Sequence, residues 1–133
     1  MAHTMPVAGN LAAYVSYFEY HSGDFCTWEA EPTGSDDIPA YHPRYEGELL
    51  RFIESAGSSG LMRTDYMNAL GGFDPSAPMD FIQAADVELL RAVLTYYVRQ
   101  ERFCEGLWAK AAGDGVFLAI LHRLGELQKQ IEY

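Results

Sequence analysis

The sequence predicts an all-α fold: a compact bundle of five or six helices with one long irregular loop at about residues 21–44. Three observations carry this expectation. The strong hydrophobic patterns all repeat at helical steps. Strand-like character is weak and confined to Phe25–Trp28. Gly and Pro punctuate the chain between the periodic stretches. A chain of 133 residues is one domain's worth, enough for a single core, so residues 1–133 are taken as one α-helical domain. Residues 1–8 are expected to be disordered or foreign to the native chain, with Met5 as an alternative start.

Leu11, Tyr14, Val15 and Phe18 give a first amphipathic helix from about Gly9 to Tyr20, broken by His21-Ser22-Gly23-Asp24. The following loop holds Pro32, Gly34, Pro39 and Pro43, together with the aromatic residues Phe25, Trp28 and Tyr41. Tyr45, Leu49, Phe52, Ile53 and Ala56 give a second helix that stops at Gly57, the usual residue at a helix C-terminus. Thr64 to Leu70 is a short third helix ahead of Gly71-Gly72. Asp80-Phe81-Ile82-Gln83 fits a capping box, and a long fourth helix runs from Phe81 to about Glu105, with Ala85-Asp86 as the place for a break. Leu107 to Ala112 is a short helical piece, and Gly113-Asp114-Gly115 is a turn. Phe117, Ile120, Leu121, Leu124, Leu127 and Ile131 form a clean amphipathic last helix, antiparallel to the fourth.

The formal net charge is −10, from nine Lys and Arg against nineteen Asp and Glu. No continuous basic stripe is available to neutralise phosphates, so direct binding of nucleic acid is not expected. Purified protein should give no tight, salt-dependent gel shift with random-sequence duplex. Anionic membrane surfaces are disfavoured by the same charge, and no apolar run is long enough for a spanning helix. The Met1–Asn10 segment lacks the basic and apolar regions of a secretory signal. Two cysteines, Cys26 and Cys104, do not make a disulfide framework, and the chain reads as cytoplasmic with reduced thiols.

No standard catalytic motif is present. The phosphate loop, dinucleotide fingerprint, HExxH and CxxC are all missing. His21, Cys26, His42, Cys104 and His122 are scattered without metal-ligand spacing, so neither a metal nor a cofactor is expected. Cys104 pairs with His122 as nucleophile and base only on paper, because the His122 face reads as exposed. No catalytic residue is therefore assigned.

The unusual segment is Tyr96 to Trp108. Leu90, Leu94, Tyr97, Glu101, Cys104 and Trp108 would share one helix face, and all but Glu101 suit a core. A carboxylate there must reach water, a cation or a hydroxyl. Arg63, Arg44, Arg51 and Arg123 are the distant candidate cations. One reading is a structural network fixing helix registry; the other is a pocket wall facing a ligand. Arg102-Phe103 with Trp108 could form a cation–π shelf. Cys104 reads as a small buried hydrophobe.

The run Leu94-Thr95 through Arg99-x-Glu101-Arg102-Phe103-x-x-Gly106, with Asp114-Gly115 and Ile120-Leu121-His122-Arg123-Leu124 after it, resembles a family of small bacterial proteins known only as a domain of unknown function. The resemblance covers roughly the last 45 residues, and Tyr45 to Tyr66 more loosely. It implies a compact helical domain, directs attention to Arg99, Glu101 and Arg102, and transfers no activity.

Two functions follow as expectations. The first is a small acidic interaction protein that binds another protein, with a homodimer as one form. In one version it is an inhibitor that occludes a basic nucleic-acid-binding surface. Tyr17, Tyr20, Tyr41 and Trp28 near the long loop are its expected exposed anchors. The second is a small-molecule binder or enzyme, with a pocket around Glu101, Arg102 and Trp108 and with Tyr66 and Trp28 beside them. Enzymatic activity is the less favoured of the two.

Overall fold

The computed structural model describes residues 11–30 and 41–131. The expectations for residues 1–8, and for Pro32, Gly34 and Pro39 in the loop, fall outside them. In chain order the elements are α1 (Val15–Tyr20), β1 (Cys26–Ala30), β2 (Tyr41–Tyr45), α2 (Gly47–Gly57), α3 (Tyr66–Ala69), α4 (Pro78–Ala84), α5 (Val87–Gln100), α6 (Leu107–Gly113) and α7 (Val116–Ile131). The fold is mostly helical with a small two-stranded sheet, so the all-α expectation is corrected.

The correction lies in the segment read as an irregular loop. β1 and β2 pair antiparallel, with Cys26 opposite Tyr45, Trp28 opposite Pro43 and Ala30 opposite Tyr41. The amide of Glu46 donates to the carbonyl of Phe25 at 3.0 Å. Counting on from that hydrogen-bonded pair, Trp28 and Pro43 form a non-hydrogen-bonded pair. The nitrogen of Pro43 therefore points away from β1, and the ladder loses nothing to proline. The hairpin escaped the sequence reading because it is a surface ribbon. Every β1 residue after Cys26 is exposed, so burial imprints no alternation of period two.

The long fourth helix is two helices. Asp86 is extended (ψ −179°), and its carboxylate accepts from the Leu89 amide at 2.8 Å, capping α5. The capping box expected at Asp80 and Gln83 is not formed. α4 begins earlier, at Pro78, and Asp80 falls inside its first turn. Proline suits that first position because its missing N–H would have had no partner there. α5 ends at Gln100 rather than Glu105. Cys104 therefore leaves the apolar stripe and is exposed, contrary to its expected burial.

α5 packs against α7, α2, α3 and α6. Leu90, Val93, Leu94 and Tyr97 of α5 meet Phe117, Ile120 and Leu124 of α7 in one buried cluster. Phe52 of α2 stands edge-on to both Phe18 and Phe117, with centroids 4.9 and 5.0 Å apart. Thr95, the one wholly buried polar residue of α5, donates to the Arg91 carbonyl and accepts from the Arg63 amide. That second bond fastens the α2–α3 connection to α5.

Candidate functional site

α5 ends at Gln100, and residues 101–106 turn the chain into α6. Gly106, the N-cap of α6, has φ +93°, in the left-handed region where only glycine is at ease. It offers no side chain to cap the helix. Glu101 takes that role from five residues upstream. Its Oε2 accepts from the Gly106 amide at 2.9 Å, and its Oε1 accepts from the Trp108 amide at 2.9 Å. These are two of the amides that a helix N-terminus leaves without partners, and the helix dipole there favours a negative group.

The same carboxylate reaches the hairpin. Tyr45, at the end of β2, donates its hydroxyl hydrogen to Glu101 Oε2 at 2.7 Å and accepts from the Gly106 amide at 3.1 Å. Burial, and then the bond to Glu101, hold the Tyr45 phenol well above its ordinary pKa, so it stays a donor. Beside it, Trp28 of β1 packs so close to the turn that a Cβ at Gly106 would come within 2.8 Å of its ring. His42 of β2 bonds Glu105 at 3.1 Å. Three contacts therefore clamp the hairpin to the α5–α6 turn.

The expectation that Glu101 is partly buried and bonded to an Arg or a Tyr hydroxyl is met by the hydroxyl, not by a cation. Three of the four candidate arginines are engaged elsewhere: Arg63 with Asp65 and Glu88, Arg44 with Glu29, and Arg123 with the Ala85 carbonyl. Arg99, Glu101, Arg102 and Trp108 do come together, with Val98, around a shallow recess of about 340 Å³. Arg102 lies 4.9 Å over the Phe103 ring, which is half of the expected cation–π shelf. Trp108 lines the same recess as Arg102, and its indole N–H donates to the Tyr97 carbonyl at 2.9 Å. Tyr66 is buried and accepts from Gln100 Nε2 at 3.0 Å, outside the recess. Trp28 belongs to the hairpin contact instead.

Sequence reasoning missed Tyr45 and Gly106 as the partners of Glu101. The helical spacing puts Tyr45 at a helix start and Gly106 at a helix end. The available signal was a glycine five residues after an out-of-place carboxylate.

A second feature is aromatic exposure. Phe103 is 72% exposed, Tyr41 58% and Trp28 52%. Tyr20 is also exposed. Tyr17 is not: its ring packs on Phe18 and Phe25, and its hydroxyl donates to Glu46 at 2.6 Å. That bond is the largest cause holding the Glu46 carboxyl below its usual range.

Among the described residues no group of three or more His, Cys, Asp or Glu is placed to hold a metal ion. No helix among them is long and apolar enough to cross a membrane. The class defined by these features is a small, mostly helical domain with a surface hairpin clamped to an interhelical turn. A family of unknown function, DUF6508, matches residues 5–130, and the chain belongs to that family. No curated protein and no solved structure matches the chain.

Proposed function

We propose that the protein acts by binding another protein, through the surface that the hairpin and the 101–106 turn form together. One observation carries this reading. Trp28, Tyr41 and Phe103 each expose more than half of their surface, on two segments that Tyr45, Trp28 and His42 lock to one another. Rigidly held, solvent-facing aromatics are favoured anchors at interfaces, since they bury much area at small entropic cost. The acidic balance of the chain favours a basic partner surface. An inhibitor that occludes a basic nucleic-acid-binding face is the version that best fits both features, and self-association into a homodimer is the other use of such a surface. We take the protein to be bacterial and cytoplasmic, and the Arg-x-Glu-Arg-Phe-x-x-Gly run to be its family's signature. In that run Glu101 and Gly106 build the clamp, and Arg102 and Phe103 face outward.

The second reading, a ligand or catalytic pocket at Glu101, Arg102 and Trp108, is favoured by the recess that they line. It has less support, because both Glu101 oxygens already accept hydrogen bonds and the indole N–H is taken.

The test compares the wild type with a Tyr41→Ser, Phe103→Ser double variant as bait, alongside light scattering for self-association. A specific partner, or a dimer, should be lost in the double variant while its melting temperature holds. Capture should also weaken across a roughly tenfold rise in salt. Equal capture by both baits at every salt concentration, with both monomeric, would overturn the reading.

A further inference from the structure

A larger cavity lies on the other side of the turn. It has a volume of about 610 Å³, within the range of small-molecule sites, and is walled by Met79, Leu107, Ala111 and Val116 with Tyr97 beside them. We infer that this cavity binds a small, uncharged, largely apolar compound whose carbonyl or similar acceptor takes the hydrogen of the Tyr97 hydroxyl.

Tyr97 is the reason. The residue is only 3% exposed, yet its hydroxyl has no hydrogen-bond partner among the described residues. Tyr17, Tyr45 and Tyr66 each have one. No sealed side-chain polar atom among the described residues lacks a partner, so the Tyr97 oxygen keeps some access. The space that Tyr97 lines is this cavity. A donor that opens only onto this cavity is free to bond whatever acceptor occupies it, so a ligand carbonyl can take the place of water there. Burial, then Tyr96 and Asp114, push the phenol up to about 12, so it remains a donor at neutral pH.

The charged groups of the lining set the ligand's charge. Lys110 and Asp114 border the cavity and are paired with each other at 2.8 Å, so neither sign of ligand charge meets an unpaired opposite. The net charge of −10 opposes an anion at long range. The apolar walls select a hydrocarbon body. This site is separate from the recess at Glu101 and does not depend on the protein-binding reading.

The experiment is a titration of the full chain with methyl naphthyl ketone, followed by amide NMR, with naphthoate as the charged control. The ketone should shift the Ala111 and Val116 amides saturably, and naphthoate should bind at least several-fold more weakly. Tyr97→Phe removes only the unpartnered hydroxyl. It should leave the melting temperature unchanged or raised and weaken the ketone roughly fivefold. Ala111→Leu, which fills the cavity, should abolish saturation in a protein that still melts cooperatively. If that variant does not fold, Tyr97→Phe decides alone. The absence of saturable shifts at these amides, an equal Kd in Tyr97→Phe, or naphthoate binding as tightly as the ketone would each overturn the inference.

Discussion

Gly106→Ala is expected to destabilise the protein by about 2–4 kcal/mol. Two causes add. The backbone at Gly106 has φ +93°, which an L-residue reaches only at a cost of about 1–2 kcal/mol. The new Cβ would also meet the Trp28 ring at 2.8 and 3.0 Å. Trp28 is half exposed and can swing outward, so the clash relaxes, but in moving the indole leaves its seat on the turn. The two causes separate in a Trp28→Ala background. There Gly106→Ala should lose its steric part and keep its backbone part, as urea denaturation of the four proteins would show. A Gly106→Ala protein with wild-type stability would mean that the turn does not adopt this conformation.

Glu101→Ala is expected to cost on the order of 3 kcal/mol. The substitution removes one group and strands two donors, the Tyr45 hydroxyl and the Trp108 amide, while the Gly106 amide keeps only its longer bond to the Tyr45 oxygen. Loss of a helix cap alone accounts for about 1 kcal/mol. The rest comes from polar groups left without partners in a partly buried position, reduced to the extent that water can enter. Glu101→Gln should rescue little, since its NH₂ would face an N–H or O–H donor at one of the two oxygen positions. Tyr45→Phe should cost only about 1 kcal/mol, because Glu101 keeps both amides and the Gly106 amide keeps Oε2. This ordering distinguishes a clamp from a simple surface charge, whose removal would leave thermal stability unchanged.

The helices were legible because their apolar faces point into one core. Leu49, Phe52, Ile53 and Ala56 on α2, and Phe117, Ile120 and Leu124 on α7, are buried where the periodicity placed them. The hairpin was not legible, because strand pairing is a long-range fact: β1 beyond Cys26 is exposed, and β2 is half-buried only at Pro43 and Tyr45, too little to mark a strand. The end of α5 was misplaced for a related reason. Glu101, Cys104 and Trp108 continue the helical spacing, and what marks Glu101 as a cap is its bonds to the Gly106 and Trp108 amides and to Tyr45, 56 residues earlier in the chain. The candidate site was legible in part. Its anomalous carboxylate was visible as an anomaly, whereas its partners were two backbone amides and a phenol that no local pattern identifies.

The central claim is that Glu101 and Tyr45 are joined, so that one carboxylate caps α6 and holds the hairpin. The most direct measurement is a double-mutant cycle of Glu101→Ala and Tyr45→Phe by urea denaturation. The structure predicts a coupling of about 1–2 kcal/mol, with Tyr45→Phe nearly silent once Glu101 is gone. Effects that add to within about 0.5 kcal/mol would contradict it.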